Sequence, residues 1–132
     1  MSPNRLGRRF ADWLTGQKPL HRDEAMDVEF EQEKEALLEM LKTGLTVIYK
    51  HSSRCSISSR TAVEVARFEE ERPDVPLILI DVVDEKPLAR FISQELKIRH
   101  QSPQVIVVRD GVAVWDTSHF SITAGALLEA IG

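Results

Sequence analysis

The stretch VPLILIDVV, at residues 75–83, constrains the fold of this chain more than any other feature. Except for Asp81, its residues are apolar without the alternation of a half-exposed strand, and such runs are typical of strands covered on both faces in a parallel sheet. Parallel strands need long crossover connections, which are usually helices. The stretch therefore predicts a protein in which strands and helices alternate along the chain.

The segments before this strand fit that alternation. Residues Phe30 to Lys42 have helical spacing of apolar side chains, and Gly44 suits a left-handed cap at the helix end. Residues Leu45 to Tyr49 are β-branched and aromatic enough for a strand, and residues Ser58 to Glu71 again show helical spacing. Pro73 ends that second helix, because the residue before a proline avoids helical dihedral angles.

The segments after the strand complete the pattern. Pro87 opens a helix, and the stretches PQVIVV and VAVW flank Asp110-Gly111, a strong signal for a two-residue hairpin turn. Residues Ala124 to Ile131 form a short final helix, with Ser121 or Thr123 as its N-cap. A parallel pair of strands, extended by an antiparallel hairpin and closed by a helix, is the thioredoxin-like arrangement. The predicted fold class is therefore α/β, a thioredoxin-like three-layer α/β/α sandwich with a mixed sheet.

Composition limits the classes of function. With 132 residues, 42% of them hydrophobic, the chain has the size of one compact domain, and no apolar run approaches the ~20 residues that cross a bilayer. The start lacks the apolar core of a secretory signal, so a cytoplasmic location is predicted. The formal charge of −4 argues against nucleic acid as a partner. Four histidines and one cysteine, none at metal-ligand spacing, predict no metal site and no tightly bound cofactor.

The charge pattern separates residues 1–26, a basic N-terminal arm, from residues 27–132, the predicted thioredoxin-like domain. Apolar residues fall at helical spacing in this arm and arginines lie beside them: Leu6, Phe10, Trp13, Leu14, Arg5, Arg8 and Arg9. A basic amphipathic helix can lie on an anionic membrane or dock on a partner, although a stripe this short more often packs on its own domain or across a dimer. Membrane contact by the arm is therefore the less favoured hypothesis.

The candidate reaction centre is Cys55, the single cysteine, so an internal disulfide and a CxxC pair are excluded. It lies shortly after the strand at residues 45–49 and near the start of the next helix, where functional groups of open parallel sheets collect. Unpaired N–H groups and the positive end of the helix dipole favour a thiolate there, and Arg54 and His51 are possible cationic neighbours. The alternative to a reactive thiolate is that Cys55 is simply a small buried residue, as free cysteines often are, although the polar residues around it in the sequence count against this role.

Three histidines near predicted element ends form a further group, His51, His100 and His119. Any of them could line the cysteine pocket and tune it. For a single histidine, however, an ordinary surface or capping role is more common. The sequence does not choose among the three.

The second candidate is Ser102-Pro103, directly before the strand QVIVV. A proline cannot donate a hydrogen bond to a sheet, so it belongs at the beginning of a strand. Only about 5–6% of the peptide bonds that precede a proline are cis in folded proteins. Thioredoxin-like domains, however, place a cis-proline at this point, facing the active cysteine. We therefore predict a cis bond, with the backbone of Ser102 available to an extended substrate and Gln101 as a further substrate contact.

Three stretches together resemble one known family. KHSSRCSIS, HQSPQVIVVRDGVAVW and SHFSIT are similar to the YtxJ-type bacilliredoxins, which are small, thioredoxin-like bacterial proteins with a single active cysteine. The resemblance covers residues 27–132. The family motif T-C-P-I-S is R-C-S-I-S in this chain, so Ile57 and Ser58 match, whereas Arg54 and Ser56 depart from it.

The resemblance implies roles for the residues around the cysteine. Ser56 in place of proline frees an N–H beside the thiolate, and Arg54 adds a cation that could attract an anionic low-molecular-weight thiol. Ser58 stands where a dithiol enzyme has its resolving cysteine, and its hydroxyl could hydrogen-bond the thiolate; the alternative is an ordinary residue in the first turn of the helix. With His51, these residues are the predicted thiolate-stabilising set.

The function that the resemblance implies is that of a monothiol thiol–disulfide oxidoreductase. The thiolate of Cys55 removes bacillithiol, the co-substrate, from mixed disulfides on client proteins. The low-molecular-weight thiol bound in such a mixed disulfide is called the cap, and another thiol or a separate reductase then releases it from Cys55. The redox alternatives are a glutaredoxin-like protein that uses another thiol, such as glutathione, and a carrier of an iron–sulfur cluster between two subunits. A non-catalytic thioredoxin-fold binding module is the alternative from another class, so enzymatic activity is itself a hypothesis at this point.

Overall fold

The computed structural model describes residues 22–52 and 56–132, with side chains described for residues 28–52 and 59–132. The elements in chain order are helix α1 (Arg22–Leu41), strand β1 (Leu45–His51), helix α2 (Ser56–Glu71), strand β2 (Leu77–Asp81), helix α3 (Lys86–Leu96), strand β3 (Gln104–Arg109), strand β4 (Val112–Ser118), a 3₁₀ turn (His119–Ser121) and helix α4 (Ala124–Ile131). Residues 1–21, most of the predicted basic arm, lie outside the described residues. Within the described part of the chain, no helix has the length and apolar character needed to span a membrane.

The strands form one mixed sheet in the order β2-β1-β3-β4. β1 and β2 run parallel, whereas β1 and β3, and β3 and β4, run antiparallel. The apolar stretch at residues 75–83 supplies β2, and its strand residues are buried except Leu79, which is partly buried. The predicted parallel pair, extended by an antiparallel hairpin, is confirmed.

Helices cover both faces of this sheet. α1 and α3 pack around Ile48 of β1 on one face, and α2 and α4 pack around Val47 and Tyr49 on the other. Neighbouring residues of β1 belong to different layers because side chains alternate across a strand. Ile48 and Phe68 are fully buried, and each such side chain stabilises the fold by about 1.5–3 kcal/mol relative to an exposed one. This is the predicted three-layer α/β/α sandwich.

Turns and caps follow the local sequence signals. Asp110 and Gly111 form the hairpin turn with φ angles of 51° and 82°, as a type I′ turn requires. Gly44, at φ 78°, lies just after α1 in the predicted left-handed conformation, and its N–H donates to Asp110 Oδ1 at 2.7 Å. Of the two N-cap candidates for α4, Thr123 is the cap, because its Oγ1 accepts from the N–H of Ala126 at 3.1 Å.

The start of α1 and the end of β1 differ from the prediction. α1 begins at Arg22, well before the predicted start at Phe30, because the segment RDEAMDVE is rich in helix-forming residues but has no apolar stripe that would reveal it. β1 continues past Tyr49 to His51 and so includes Lys50. A lysine is almost never fully buried, which is why periodicity ended the predicted strand before it.

Candidate functional site

One end of the sheet gathers the segments that the sequence singled out. β1 and β3 are antiparallel with Lys50 opposite Gln104, so the end of β1 lies beside the beginning of β3. β4 ends at Ser118, which is opposite Gln104 on the other side of β3. The chain leaves β1 after His51, at this same end, for the segment that contains Cys55. The candidate site is therefore this end of the sheet.

In the sequence, the candidate nucleophile Cys55 lies between the end of β1 and the beginning of α2. Cys55 and Arg54 lie outside the described residues, as do the side chains of Ser56 and Ser58. α2 begins at Ser56, the residue that follows Cys55 and two residues before the predicted start. The first turn of α2 contains no acidic residue, so none of its side chains opposes a negative charge at that helix end. The thiolate and its stabilisation by these residues stay predictions.

His51, the remaining member of the predicted thiolate-stabilising set, belongs to a polar network under α2. The Tyr49 hydroxyl lies 3.2 Å from His51 Nδ1 and 3.0 Å from the hydroxyl of Thr61. The Tyr49 and His51 rings are tilted by 59°, with their centroids 5.6 Å apart. Burial raises the pKa of Tyr49, and the hydrogen bond with Thr61 partly offsets this rise. The phenol is thus protonated at neutral pH and can donate to one neighbour while it accepts from another.

A cavity of about 220 Å³ adjoins this network, between α2 and strands β1 and β2. Its lining combines an apolar wall with three polar residues: Ala62, Val65, Ala66, Leu77 and Leu79, with Tyr49, His51 and Glu69. Sequence reasoning missed Tyr49, Thr61 and this cavity. The available signal was the alternation along β1, which places Tyr49 and His51 on the same face of the sheet.

The loop before β3 carries the other predicted residues, Gln101, Ser102 and Pro103. The Ser102–Pro103 peptide bond is cis, which confirms the prediction. Pro103 is buried, and its carbonyl accepts from the N–H of His119 at 3.1 Å. The N–H of Gln101 donates to the side-chain oxygen of Gln104 at 3.3 Å. These bonds hold the loop at the end of the sheet where β1 ends, and its role in substrate binding stays a prediction.

The Ser102 hydroxyl is buried and has no hydrogen-bond partner among the described residues. An unpaired buried hydroxyl destabilises the native state by about 1–3 kcal/mol. We therefore expect Ser102→Ala to raise the free energy of unfolding by about 1 kcal/mol, measured by urea denaturation. Ser59→Ala, at an exposed position of α2, is the control and should change this free energy by about 0.5 kcal/mol or less. A loss of stability in Ser102→Ala would mean that the hydroxyl does have a native partner.

The other two histidines occupy different places in the fold. His119 begins the 3₁₀ turn after β4, with a φ of 54°. His100 Nδ1 accepts from Lys50 Nζ at 3.1 Å, and Lys50 also contacts α3, on the face of the sheet opposite α2. Desolvation lowers the pKa of His100, and the charges of Lys50 and Arg90 lower it further. A neutral imidazole is the form that can accept a hydrogen bond from an ammonium group.

Comparison with known families identifies one matching family model. The model described as monothiol bacilliredoxin BrxC matches residues 26–127. The matched region begins inside α1 and ends inside α4, so it contains Cys55, the end of β1 and the loop before β3. It therefore includes every predicted site residue.

Solved structures with the thioredoxin fold are similar to this chain. One, described as a candidate oxidoreductase with a thioredoxin fold, is 25% identical, has a TM-score of 0.69, and the match covers 74% of this chain and 88% of that one. Thioredoxin of Fasciola hepatica is 23% identical with a TM-score of 0.60, over 76% of this chain and 90% of its own. Oxidised mitochondrial thioredoxin 3 of Saccharomyces cerevisiae is 16% identical with a TM-score of 0.61, over 74% and 87%. The predicted thioredoxin-like fold is confirmed.

Proposed function

Because the chain belongs to the monothiol bacilliredoxin family, we propose that it removes bacillithiol from mixed disulfides on client proteins. Family and fold together establish thiol redox function in general. The identity of the cap and the removal reaction are the proposal. The observation that carries it is the family match over a chain whose single cysteine directly precedes α2.

The proposed step is a thiol–disulfide exchange at Cys55. Its thiolate attacks the bacillithiol sulfur of the mixed disulfide, and a new sulfur–sulfur bond forms as the bond to the client sulfur breaks. The client thiolate leaves with the electron pair and takes a proton from water. The client cysteine is thereby reduced, Cys55 is oxidised to a mixed disulfide with bacillithiol, and no other oxidant is needed.

The described residues support this chemistry at the end of the sheet. α2 begins immediately after Cys55 and has no acidic residue in its first turn, so its free N–H groups favour an anion there. Tyr49, His51 and Thr61 form a polar network under the same helix. We propose that Arg54, Ser56 and Ser58 complete the surroundings of the thiolate.

We propose that the loop containing Gln101, Ser102 and Pro103 binds the client backbone next to the mixed disulfide. With one cysteine in the chain, the protein cannot release the cap by forming an internal disulfide. A second molecule of a low-molecular-weight thiol, or a separate reductase, must therefore regenerate Cys55. This cycle requires reduced thiols, so the proposed location is the cytoplasm.

The test compares two caps on one client. The reduced protein is mixed with the client carrying either bacillithiol or glutathione, and the rate of client thiol release is measured for each. We expect the bacillithiolated client to be released at least about tenfold faster, which corresponds to about 1.4 kcal/mol of preference in the transition state. A preference for glutathione would keep the reaction but replace the cap with that of a glutaredoxin-like protein. Release of neither cap by the folded protein would refute the enzyme and favour a binding module.

A further inference from the structure

We infer that Lys50 and Gln104, which we call the brace, position the loop at residues 99–103 for client binding. They are positioning residues, because they act through the loop and not on the reacting sulfur atoms. The client role rests on the proposed function. The structural part, that the brace holds the loop, rests on contacts within the described residues.

Lys50 is completely buried, which is unusual for a lysine. Its Nζ donates to the hydroxyl of Ser93 in α3 and to His100 Nδ1 in the loop, the latter at 3.1 Å. Within residues 28–52 and 59–132, no carboxylate pairs with this ammonium group. These two hydrogen bonds therefore stabilise the buried charge, and the one with His100 connects the end of β1 to the loop.

Gln104 is also completely buried, at the first position of β3. Its Nε2 donates to the carbonyl of Arg99 at 3.0 Å and to Asp116 Oδ2 at 3.4 Å. Its Oε1 accepts from the N–H of Gln101 at 3.3 Å. Gln104 thus holds the loop at two backbone groups and is itself oriented by β4.

The two brace residues act on adjacent parts of one short segment. Lys50 and Gln104 are directly opposite each other in the β1–β3 ladder. Between them they hold three consecutive loop residues, Arg99, His100 and Gln101. The next two residues are Ser102 and Pro103, the predicted client contacts.

The cost of burying these groups indicates that their benefit lies in the geometry of the loop. Burial of an ammonium group without a paired carboxylate is unfavourable, and an apolar residue of similar size would fill the same space without that penalty. The benefit of Lys50 and Gln104 is that they define where the loop lies relative to the end of β1. A binding segment that is already held in its binding position loses less conformational freedom when the client binds, so loss of the brace should weaken client binding and raise KM more than it lowers kcat.

The experiment combines kinetics with hydrogen exchange in two variants that lose the hydrogen bond between Lys50 and His100. Lys50→Met removes the donor while retaining most of the length of the side chain, and His100→Ala removes the same hydrogen bond at an exposed loop residue, so it preserves the core. We expect KM for the bacillithiolated client to rise about tenfold in Lys50→Met and about threefold in His100→Ala, with kcat changed by about twofold or less. Amide exchange in residues 99–102 should be at least about tenfold faster in Lys50→Met.

The matched control is Val108→Ala. Val108 is buried on β3 two ladder positions beyond Ile106, on the same face as Gln104 but toward the other end of the strand. The substitution Val108→Ala removes core volume but no contact with the loop at residues 99–103, so KM and amide exchange in the loop should stay at the wild-type values. A rise of KM in this control equal to that in Lys50→Met would show a general stability effect and overturn the positioning role.

The outcomes separate the brace from the proposed function. Unchanged loop exchange in Lys50→Met and His100→Ala would overturn the brace. Faster exchange with an unchanged KM would overturn its role in client binding. Faster exchange in the variants of a protein that releases no cap at all would uphold the structural part and refute the proposed function. If Lys50→Met does not fold, His100→Ala decides by the same criteria.

Discussion

Cys55→Ser is expected to abolish cap transfer, so that client thiol is released no faster than in the absence of the protein. A serine hydroxyl is a weak nucleophile, and its oxygen cannot take the place of sulfur in a mixed disulfide that a second thiol later resolves. Since the chain has no other cysteine, no second residue can substitute. The measurement is the rate of client thiol release by wild type and variant at equal protein concentration.

The control for this prediction is Ser59→Ala, an exposed position in the same helix. It should retain wild-type activity within about twofold, and both variants should have the wild-type free energy of unfolding within about 0.5 kcal/mol. Continued release by folded Cys55→Ser would contradict the assignment of Cys55 as the nucleophile.

The second large effect concerns the pH dependence of stability and comes from Lys50. Burial lowers the pKa of Lys50 from 10.5 to about 8. Between these two pH values the unfolded chain holds the proton more strongly than the native state, so stability rises with pH in this window. Below pH 8 Lys50 is charged in the native state, and burial of this charge lowers the free energy of unfolding by about 3 kcal/mol.

Comparison with Lys50→Met isolates this contribution. The free energy of unfolding of the wild type minus that of Lys50→Met should increase by about 3 kcal/mol between pH 7 and pH 10.5, because only the wild type titrates Lys50. The measurement is a series of urea denaturation curves across that range. Lys42→Met, which removes a lysine whose side chain is 71% exposed, reports the effect of deleting a surface charge. A difference that does not vary with pH would mean that Lys50 is not buried as an ammonium group.

Much of the fold was predictable because it depends on local or short-range signals. The apolar stretch that forms β2, which lacks the alternation of a half-exposed strand, indicated a parallel strand, and Asp110-Gly111 indicated the hairpin turn without any knowledge of distant residues. The cis bond before Pro103 was different: composition favoured trans, and only the analogy with the thioredoxin-like fold reversed that expectation.

The surroundings of the site were less predictable because they depend on partners far away in the sequence. The predicted strand ended before Lys50, yet this residue belongs to β1 and is buried, because Ser93 and His100, 43 and 50 residues away, accept from its ammonium group. Thr61 likewise joins Tyr49 only after α2 has packed on β1. No periodicity reports such pairings, which arise only when the layers come together.

The central claim is that the sulfur of Cys55 takes bacillithiol from a client, and intact-mass spectrometry of a single turnover tests it most directly. Reduced protein is mixed with an equal amount of bacillithiolated client and quenched with acid. The account predicts that the protein gains the mass of one bacillithiol, located on Cys55 by peptide mapping, while an equal amount of client appears as free thiol. Release of client without any mass gain on the protein, or no release from any cap, would contradict it.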